Sequence, residues 1–185
     1  MSGVDRKATI IPRVGFLVKR FHTLPTIVEE TVGHHSANVA LICDILTDGE
    51  ASKEIIIAAL KHDIPEQWTG DIPAPAKWID PNFNDMIKKV EKNWATQTGY
   101  KIPELVGDDL LVLKAADMLD LCFKCVEEIT LGNVTFMPIF INGIHYLSKL
   151  PLQGKVAGNV MDICSGLKAT LGIKDEPTII TTPTH

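Results

Sequence analysis

The segment from about residue 107 to residue 130 constrains the fold of this chain more than any other feature. Most of its apolar residues recur at intervals of three or four positions, a spacing that places them on one face of a long helix. These residues are Leu110, Leu113, Met118, Leu121, Cys122, Val126 and Ile129. Gly132 follows, and glycine commonly occupies the position just beyond a helix end. A long helix with one apolar stripe has to bury that stripe against other elements of secondary structure.

Most of the remaining chain repeats this helical spacing in shorter segments, separated by proline and glycine. Helices are predicted over about 13–22, 33–47, 52–64, 82–97, 136–150 and 155–171. No segment has the regular alternation of apolar and polar residues that is typical of a strand. The sequence therefore predicts an all-α fold, a single-domain helical bundle over residues 1–185 with its core at about 13–171. The threonine-rich tail, 177–185, is expected to be flexible.

Composition limits the classes of function. The net charge is −5 over 185 residues, and the three arginines all lie within the first twenty positions, so a nucleic-acid-binding surface is not expected. No apolar run is long enough to cross a membrane, and the N-terminus lacks a secretory signal, which favours a cytoplasmic protein. Cys122 and Cys125 form a C-x-x-C pair inside the long predicted helix, where we interpret them as small apolar core residues.

Four polar residues stand out as candidates for chemistry. His35 lies near the start of one predicted helix, His62 and Asp63 end the next, and Asp117 lies in the middle of the long helix. An ionised aspartate among apolar neighbours is costly to bury without a partner. Imidazole and carboxylate ligands together suit Mn, Fe, Co, Ni or Zn. Each residue alone is more often structural, but three packed helices could bring all four around one ion.

Several short motifs occur in a fixed order around these residues. They are Arg20-Phe21, His35-Ser36, His62-Asp63-Ile64-Pro65-Glu66, the loop Thr69-Gly70-Asp71-Ile72-Pro73-Ala74-Pro75-Ala76-Lys77, Lys114-Ala115-Ala116-Asp117 and Cys125-Val126-Glu127-Glu128. This series, from about residue 19 to 133, resembles the HD-domain phosphohydrolase superfamily and its 5′-deoxynucleotidase branch. The branch commonly has Glu-His-Ser where this chain has His34-His35-Ser36. We assign the ligand role to His35, because it precedes the serine, and the role of His34 is left open.

The resemblance implies a metal-dependent hydrolysis. The family's ligand positions match His35, His62, Asp63 and Asp117, which would hold one divalent transition metal (Co, Mn, Zn, Fe or Ni). Additional Mg²⁺ could accompany the phosphates of the substrate. Glu66 would orient the attacking water or protonate the leaving oxygen. Asp71 would assist Glu66 or bind a sugar hydroxyl.

The resemblance also implies a pocket for a deoxynucleotide, the small-molecule partner expected here. Arg20 is the predicted phosphate clamp, because its planar guanidinium matches phosphate oxygens. Lys77 and Lys114 would add positive charge. Phe21 would stack on the base or pack on the sugar, and a ring packed at C2′ would leave no room for a ribose hydroxyl. The base would contact two further residues, Pro75 and Thr23.

The residues leave the exact reaction open. Asp63 and Asp117 are only 54 positions apart, and compact phage dATP triphosphohydrolases of this superfamily share a short segment here. We therefore favour a dNTP triphosphohydrolase, dATP being the expected substrate, and a phage source. The alternatives are a 5′-deoxynucleotidase acting on monophosphates and a non-catalytic nucleotide-binding module. A homo-oligomer is also expected, with aromatic residues of the later helices at its interface: Trp94, Phe136, Phe140 and Tyr146.

Overall fold

A computed structural model describes residues 13–73, 76 and 79–174 of the chain. Seven α-helices and one 3₁₀ turn have both ends within these residues. The helices are α1 (Val32–Leu46), α2 (Lys53–Lys61), α3 (Glu66–Thr69), α4 (Pro81–Thr98), α5 (Gly107–Thr130), α6 (Met137–Lys149) and α7 (Gly154–Thr170), and the 3₁₀ turn is Val134–Phe136. In this described part the extended backbone is limited to one isolated bridge between Lys19 and Thr31. The prediction of an all-α fold is confirmed.

Helix α5 lies at the centre of the fold. It packs against α1, α2, α6 and α7, and α1 also contacts α2 and α7. The residues that meet at these contacts are apolar and almost fully buried: Val39, Cys43, Leu46, Ile55, Ala59, Ala115, Ala116, Leu119, Cys122, Phe136 and Phe140. Burial of this apolar surface is the main force that holds the helices together. Because Asp117 lies between two buried alanines and a buried leucine, the same packing fixes its position.

Side-chain caps determine where the first two of these helices begin. The hydroxyl of Thr31 accepts a hydrogen bond from the amide of His34, so α1 begins at Val32 and His35 falls in its first turn. The hydroxyl of Ser52 accepts from the amide of Ile55 at the start of α2, close to the predicted helix start at about residue 52. These two caps set the register of the helices that lead into the candidate site.

A buried ionic network joins the loop before α1 to the end of α5. The carboxylate of Glu128, which has no exposed surface, accepts hydrogen bonds from the amides of Ile27 (2.8 Å) and Val28 (2.9 Å) and from the amide group of Asn133 (2.8 Å). The Lys124 ammonium lies 2.9 Å from the same carboxylate and donates to the Val28 carbonyl at 2.8 Å. Burial opposes ionisation of Glu128, yet these donors lower its pKa from 4.5 to about 2.

The N-terminal segment differs from the prediction. We expected a helix over 13–22, but only 13–15 are helical, and the chain then turns and forms the bridge at Lys19. The Phe16 carbonyl accepts from the amide of Gly33 at 3.1 Å, which holds this turn against the start of α1. A Cβ atom at Gly33 would lie 2.7 Å from the Cβ of Phe16, so the close approach requires glycine. Contacts distant in sequence therefore override the local helical pattern.

The aromatic residues expected at an oligomer interface are mostly internal. Phe136 and Phe140 are buried in the core, and Trp94 is buried as well. Only Tyr146 is exposed, to 40%. The interpretation of the three buried residues as an interface was wrong, and the homo-oligomer itself stays a prediction.

Two other expectations concern the cysteines and membrane insertion. Cys122 and Cys125 are buried in the core, as expected. All four cysteines are free thiols, and burial raises the pKa of Cys125 to about 12. Among the described residues, no helix combines the length and the apolar character needed to cross a bilayer. The tail at 177–185 lies outside the described residues.

Candidate active site

The four predicted metal ligands converge on one point between three helices. His35 comes from the first turn of α1, His62 and Asp63 directly follow α2, and Asp117 comes from the middle of α5. The Nε2 atom of His35 lies 3.3 Å from Nε2 of His62, 3.4 Å from Oδ2 of Asp63 and 3.1 Å from Oδ1 of Asp117. Nε2 of His62 lies 3.3 Å from the same Asp63 oxygen and 4.0 Å from the same Asp117 oxygen.

These separations fit a shared divalent cation. Ligand atoms bound at about 2.1 Å, in tetrahedral or octahedral geometry, lie about 3.0–3.4 Å from one another. Four of the five measured separations fall within that range, and the His62–Asp117 pair is longer at 4.0 Å. His35, His62 and Asp117 form a set whose ligand atoms all lie within 4.8 Å of each other. Two imidazoles with carboxylates also match the ligand types that first-row transition metals prefer.

Hydrogen bonds on the opposite side of each ring orient the two histidines. Nδ1 of His62 lies 2.7 Å from the carbonyl oxygen of Ala59, and Nδ1 of His35 lies 2.6 Å from Oδ2 of Asp120. Carbonyl and carboxylate oxygens only accept hydrogen bonds, so each Nδ1 carries a proton and donates. In the neutral ring the lone pair is then on Nε2, the atom that faces the point of convergence.

The electrostatics of the cluster favour bound positive charge. Burial works to lower the pKa of His35, but hydrogen bonds with Asp117 and Asp120 outweigh it and raise that pKa well above its usual range. Burial would raise the pKa of Asp63 and of Asp117, yet interactions with the two histidines lower both, so the carboxylates are ionised at neutral pH. Ionised carboxylates beside a buried imidazole form a negative site that suits a metal ion.

Arg20 lies beside this cluster with its side chain only 12% exposed. Its Nε is 3.2 Å from Oε1 of the buried Glu30, and its Nη1 is 3.8 Å from Oδ2 of Asp63. The backbone amide of Arg20 donates to the carbonyl of Glu30 at 3.0 Å, which aligns the two residues. Burial is the main cause of a raised pKa at Glu30, while the Arg20 charge works to lower it. The predicted phosphate clamp is thus already ion-paired and close to the candidate metal ligands.

Phe21 and Asp71 also contact each other. The amide of Phe21, a residue with φ of 56°, donates to Oδ2 of Asp71 at 3.3 Å. The Phe21 ring meets the ring of Phe136 edge-on, with centroids 5.7 Å apart, and the Arg20 guanidinium lies 5.4 Å from the Phe21 centroid. Asp71 therefore ties the loop after α3 to the segment that carries Arg20.

The structure describes four further residues that the sequence analysis singled out, and two others lie outside the described residues. Glu66 is buried and begins α3, three residues after Asp63. Thr23 and Lys114 are exposed, and within the described residues their side chains form no hydrogen bond or ion pair. Pro75 and Lys77 lie outside the described residues. His34 is exposed on the surface of α1, next to the fully buried His35.

Sequence reasoning missed two buried carboxylates, Asp120 and Glu30. Both lie with His35 in a second group whose ligand atoms are within 4.8 Å of one another. Asp120 had a signal in the sequence, because it follows Asp117 by three positions and so shares a face of the helix. Glu30 had none, because its closeness to His35 depends on the bridge between Lys19 and Thr31.

The helical fold and the converging His-Asp constellation are those of an HD-type phosphohydrolase. The profile of the YfbR-like 5′-deoxynucleotidase family matches residues 11–153. The chain belongs to that family. A 5′-deoxynucleotidase of Photobacterium profundum is 28% identical, over 65% of this chain and 73% of the relative. A 5′-deoxynucleotidase of Pectobacterium atrosepticum is 29% identical, over 65% of this chain and 71% of the relative.

Two solved structures share the fold. One is the HD phosphohydrolase DatZ of cyanophage S-2L, bound to dA and one catalytic Zn²⁺. It has a TM-score of 0.66 at 16% identity and covers 87% of this chain and 96% of its own. The other is a protein from Pyrococcus horikoshii OT3, with a TM-score of 0.70 at 18% identity, covering 89% of this chain and 98% of its own. The description of the matched family names deoxynucleotides, the substrate class that the sequence led us to expect.

Proposed function

We propose that this protein is a 5′-deoxynucleotidase, which converts a deoxynucleoside 5′-monophosphate and water into a deoxynucleoside and orthophosphate. The observation that carries the proposal is the convergence of His35, His62, Asp63 and Asp117 in a chain that matches this family over residues 11–153. The relatives named above are 5′-deoxynucleotidases. That similarity favours the monophosphate reaction over the triphosphohydrolase that the compact sequence suggested.

In this proposal the four converging residues hold one divalent metal. When bound, the metal supplies Lewis-acid stabilisation of phosphoryl charge and makes a water molecule more acidic. Zn²⁺ is the first candidate, because the fold relative DatZ binds a catalytic Zn²⁺ and the nitrogen and oxygen ligands suit it. Co²⁺ and Mn²⁺ are compatible with the same ligand set.

The chain's own residues bind the phosphate and manage the protons. Arg20 binds phosphate oxygens with the nitrogens that Glu30 leaves available, since Glu30 contacts Nε. A water oxygen forms a bond to phosphorus while the bond from phosphorus to the 5′-oxygen breaks. The leaving 5′-oxygen takes a proton, and Glu66 holds or transfers that proton. Asp71 supports the reaction indirectly, because it fixes the backbone of Phe21 beside Arg20.

The preference for deoxyribose is assigned to Phe21. Its ring is held against Phe136, so it cannot easily move aside for a 2′-hydroxyl. A pocket that gives such a hydroxyl neither space nor a hydrogen-bond partner discriminates against ribonucleotides. Roles for Thr23, Pro75, Lys77 and Lys114 at the base and phosphates stay predictions from the family resemblance.

A dNTP triphosphohydrolase is the second candidate. Two observations favour it: the short separation of 54 positions between Asp63 and Asp117, and the fold shared with a phage enzyme whose structure holds dA. Water would attack the same phosphorus, and the leaving group would still be the deoxynucleoside. The two reactions differ in whether the site accommodates two more phosphates, so the product separates them.

The deciding experiment is product analysis with the purified protein and Co²⁺ or Mn²⁺. The substrates are dAMP, dGMP, dATP, dGTP, dCTP, dTTP and the ribonucleotides AMP and ATP. Orthophosphate from monophosphates alone supports the proposal, and triphosphate from a dNTP supports the second candidate. Asp117→Ala is the blank, and His34→Ala is the control for an unspecific effect of substitution. No turnover of any substrate by the wild-type protein would contradict both candidates.

A further inference from the structure

Asp120 occupies a special position on α5, one turn after Asp117. Its side chain is almost completely buried, and its Oδ2 lies 2.6 Å from Nδ1 of His35, whose ring has no exposed surface. The opposite nitrogen of the same ring, Nε2, is the atom that faces the other three converging residues. The imidazole therefore lies between a carboxylate on one side and the candidate metal site on the other.

We propose that Asp120 is a positioning residue that fixes the ring orientation and the tautomer of His35 for metal binding. This inference rests on the proposed role of His35 as a ligand. A buried imidazole ring can present either nitrogen to a metal by turning about its bond to Cβ, and the two orientations differ by which nitrogen keeps a proton. A carboxylate accepts a hydrogen bond and cannot donate one, so it selects protonated Nδ1 and leaves the lone pair on Nε2.

The other histidine of the site shows why a side chain is needed here. His62 donates from Nδ1 to the carbonyl of Ala59, three residues earlier on its own helix, so the local backbone already sets its orientation. His35 lies in the first turn of α1, and its Nδ1 faces α5, where Asp120 supplies the acceptor. In both rings Nδ1 donates a hydrogen bond and Nε2 faces the candidate metal site, but for His35 the acceptor is a residue 85 positions away.

The nearby Glu30 does not serve the same purpose. It lies in the same buried group as His35 and Asp120, but its Oε1 is 3.2 Å from the Arg20 guanidinium. No hydrogen bond joins Glu30 to the His35 ring among the described residues. The structure thus divides two tasks between two buried carboxylates: Glu30 orients the arginine, and Asp120 orients the histidine.

The test is the affinity for Zn²⁺, measured by competition with a chromophoric chelator in the absence of nucleotide. Loss of an outer-shell partner of a metal-binding histidine typically weakens metal affinity by about 10- to 100-fold. Asp120→Ala should show a loss of that size, and Asp120→Asn a smaller one, because asparagine keeps a neutral acceptor oxygen. Glu128→Gln is the matched control: it alters a buried carboxylate on the same helix that contacts neither histidine, and its Zn²⁺ affinity should equal that of the wild type. Wild-type affinity in both Asp120 variants would overturn the inference.

A second measurement does not depend on the variants folding. In Zn²⁺-loaded wild-type protein, long-range ¹H–¹⁵N NMR distinguishes a protonated ring nitrogen from a metal-bound one. We expect His35 to be protonated at Nδ1 and metal-bound at Nε2, and metal at Nδ1 would overturn the inference. Because neither measurement uses a nucleotide, a failure of the proposed hydrolysis leaves both interpretable.

Discussion

The Nε atom of Arg20 lies 3.2 Å from the Oε1 atom of Glu30, and both side chains are almost entirely buried beside Asp63. An arginine in such a pair loses little further freedom when it binds a phosphate, because its guanidinium is already oriented. The pair also holds a positive charge next to the carboxylates of the candidate metal site. Substrate binding and metal binding thus occur at neighbouring, electrostatically linked positions.

Arg20→Lys should raise KM for the deoxynucleotide by about tenfold or more, a loss of about 1.4 kcal/mol in binding. A lysine ammonium cannot contact Glu30 through one nitrogen and a phosphate through two others. Zn²⁺ affinity should change much less, because Arg20 is not a ligand. The control is Lys19→Ala, which removes an exposed ammonium paired with Glu29 at the surface. Equal KM values for the Arg20→Lys and Lys19→Ala variants would count against the clamp.

His35→Ala should abolish the thermal stabilisation that Co²⁺ gives to the wild-type protein. A metal that binds only the folded state raises Tm by mass action, and the effect vanishes with the affinity. His34→Ala alters the exposed neighbouring histidine and should keep the full Tm shift. The measurement is Tm with and without Co²⁺ for all three proteins. A His34→Ala variant that also loses the shift would mean that the ligand was assigned to the wrong histidine or to only one of two.

Phe21→Ala should reduce the preference for deoxynucleotides over ribonucleotides. Removing the ring opens space where a 2′-hydroxyl would lie, so kcat/KM for the ribonucleotide should rise relative to that for the deoxynucleotide. The variant should also lose about 1–3 kcal/mol of stability, because the ring packs on Phe136. Phe123→Ala removes a ring from α5 that is 42% exposed, and it should leave the ratio unchanged. An unaltered ratio in Phe21→Ala would remove this residue from the specificity pocket.

The lowered pKa of Glu128 predicts that the protein loses stability in acid. Because its folded-state pKa is depressed to about 2 from 4.5, its contribution is complete above pH 4.5 and is lost as the pH falls from 4.5 towards 2. Glu128→Gln should therefore be about 2–3 kcal/mol less stable at pH 7 and should show a weaker decline below pH 4.5. Urea unfolding between pH 7 and pH 3 measures both effects. Glu127→Gln, which alters the half-exposed partner of Lys124, should keep the wild-type pH profile.

Local patterns in the sequence predicted those parts of the structure that depend on local interactions. Helix α5 was expected at about 107–130 and runs from Gly107 to Thr130, because its apolar spacing and the glycine beyond its end act within the segment. The start of α2, expected at about residue 52, was confirmed for the same reason, because Ser52 caps that helix. Short motifs also predicted that His35, His62, Asp63 and Asp117 would lie together, and their side chains do lie close to one another.

The predictions that were wrong concern parts of the structure that contacts between residues distant in sequence determine. Residues 16–22 are not helical, because the chain there bonds to the start of α1 across more than ten positions. The interface interpretation failed for Phe136 and Phe140, since periodicity does not reveal whether an apolar face meets its own core or a partner. Asp120 shares a helix face with Asp117, but its role depends on a histidine of another helix, which helical spacing alone does not reveal.

Helix α5 has a consequence for protein engineering. It carries Asp117, which lies beside His35, and Asp120, which accepts a hydrogen bond from His35. It also carries Glu128, which accepts hydrogen bonds from the backbone amides of residues 27 and 28. These three connections all lead to the segment before and within the first turn of α1. In a chimaera built from two relatives, residues 19–35 and 107–133 would therefore have to be inherited from the same parent, although more than seventy residues of chain separate them. The intervening α4, which contributes little to the buried core, is the natural place for exchange.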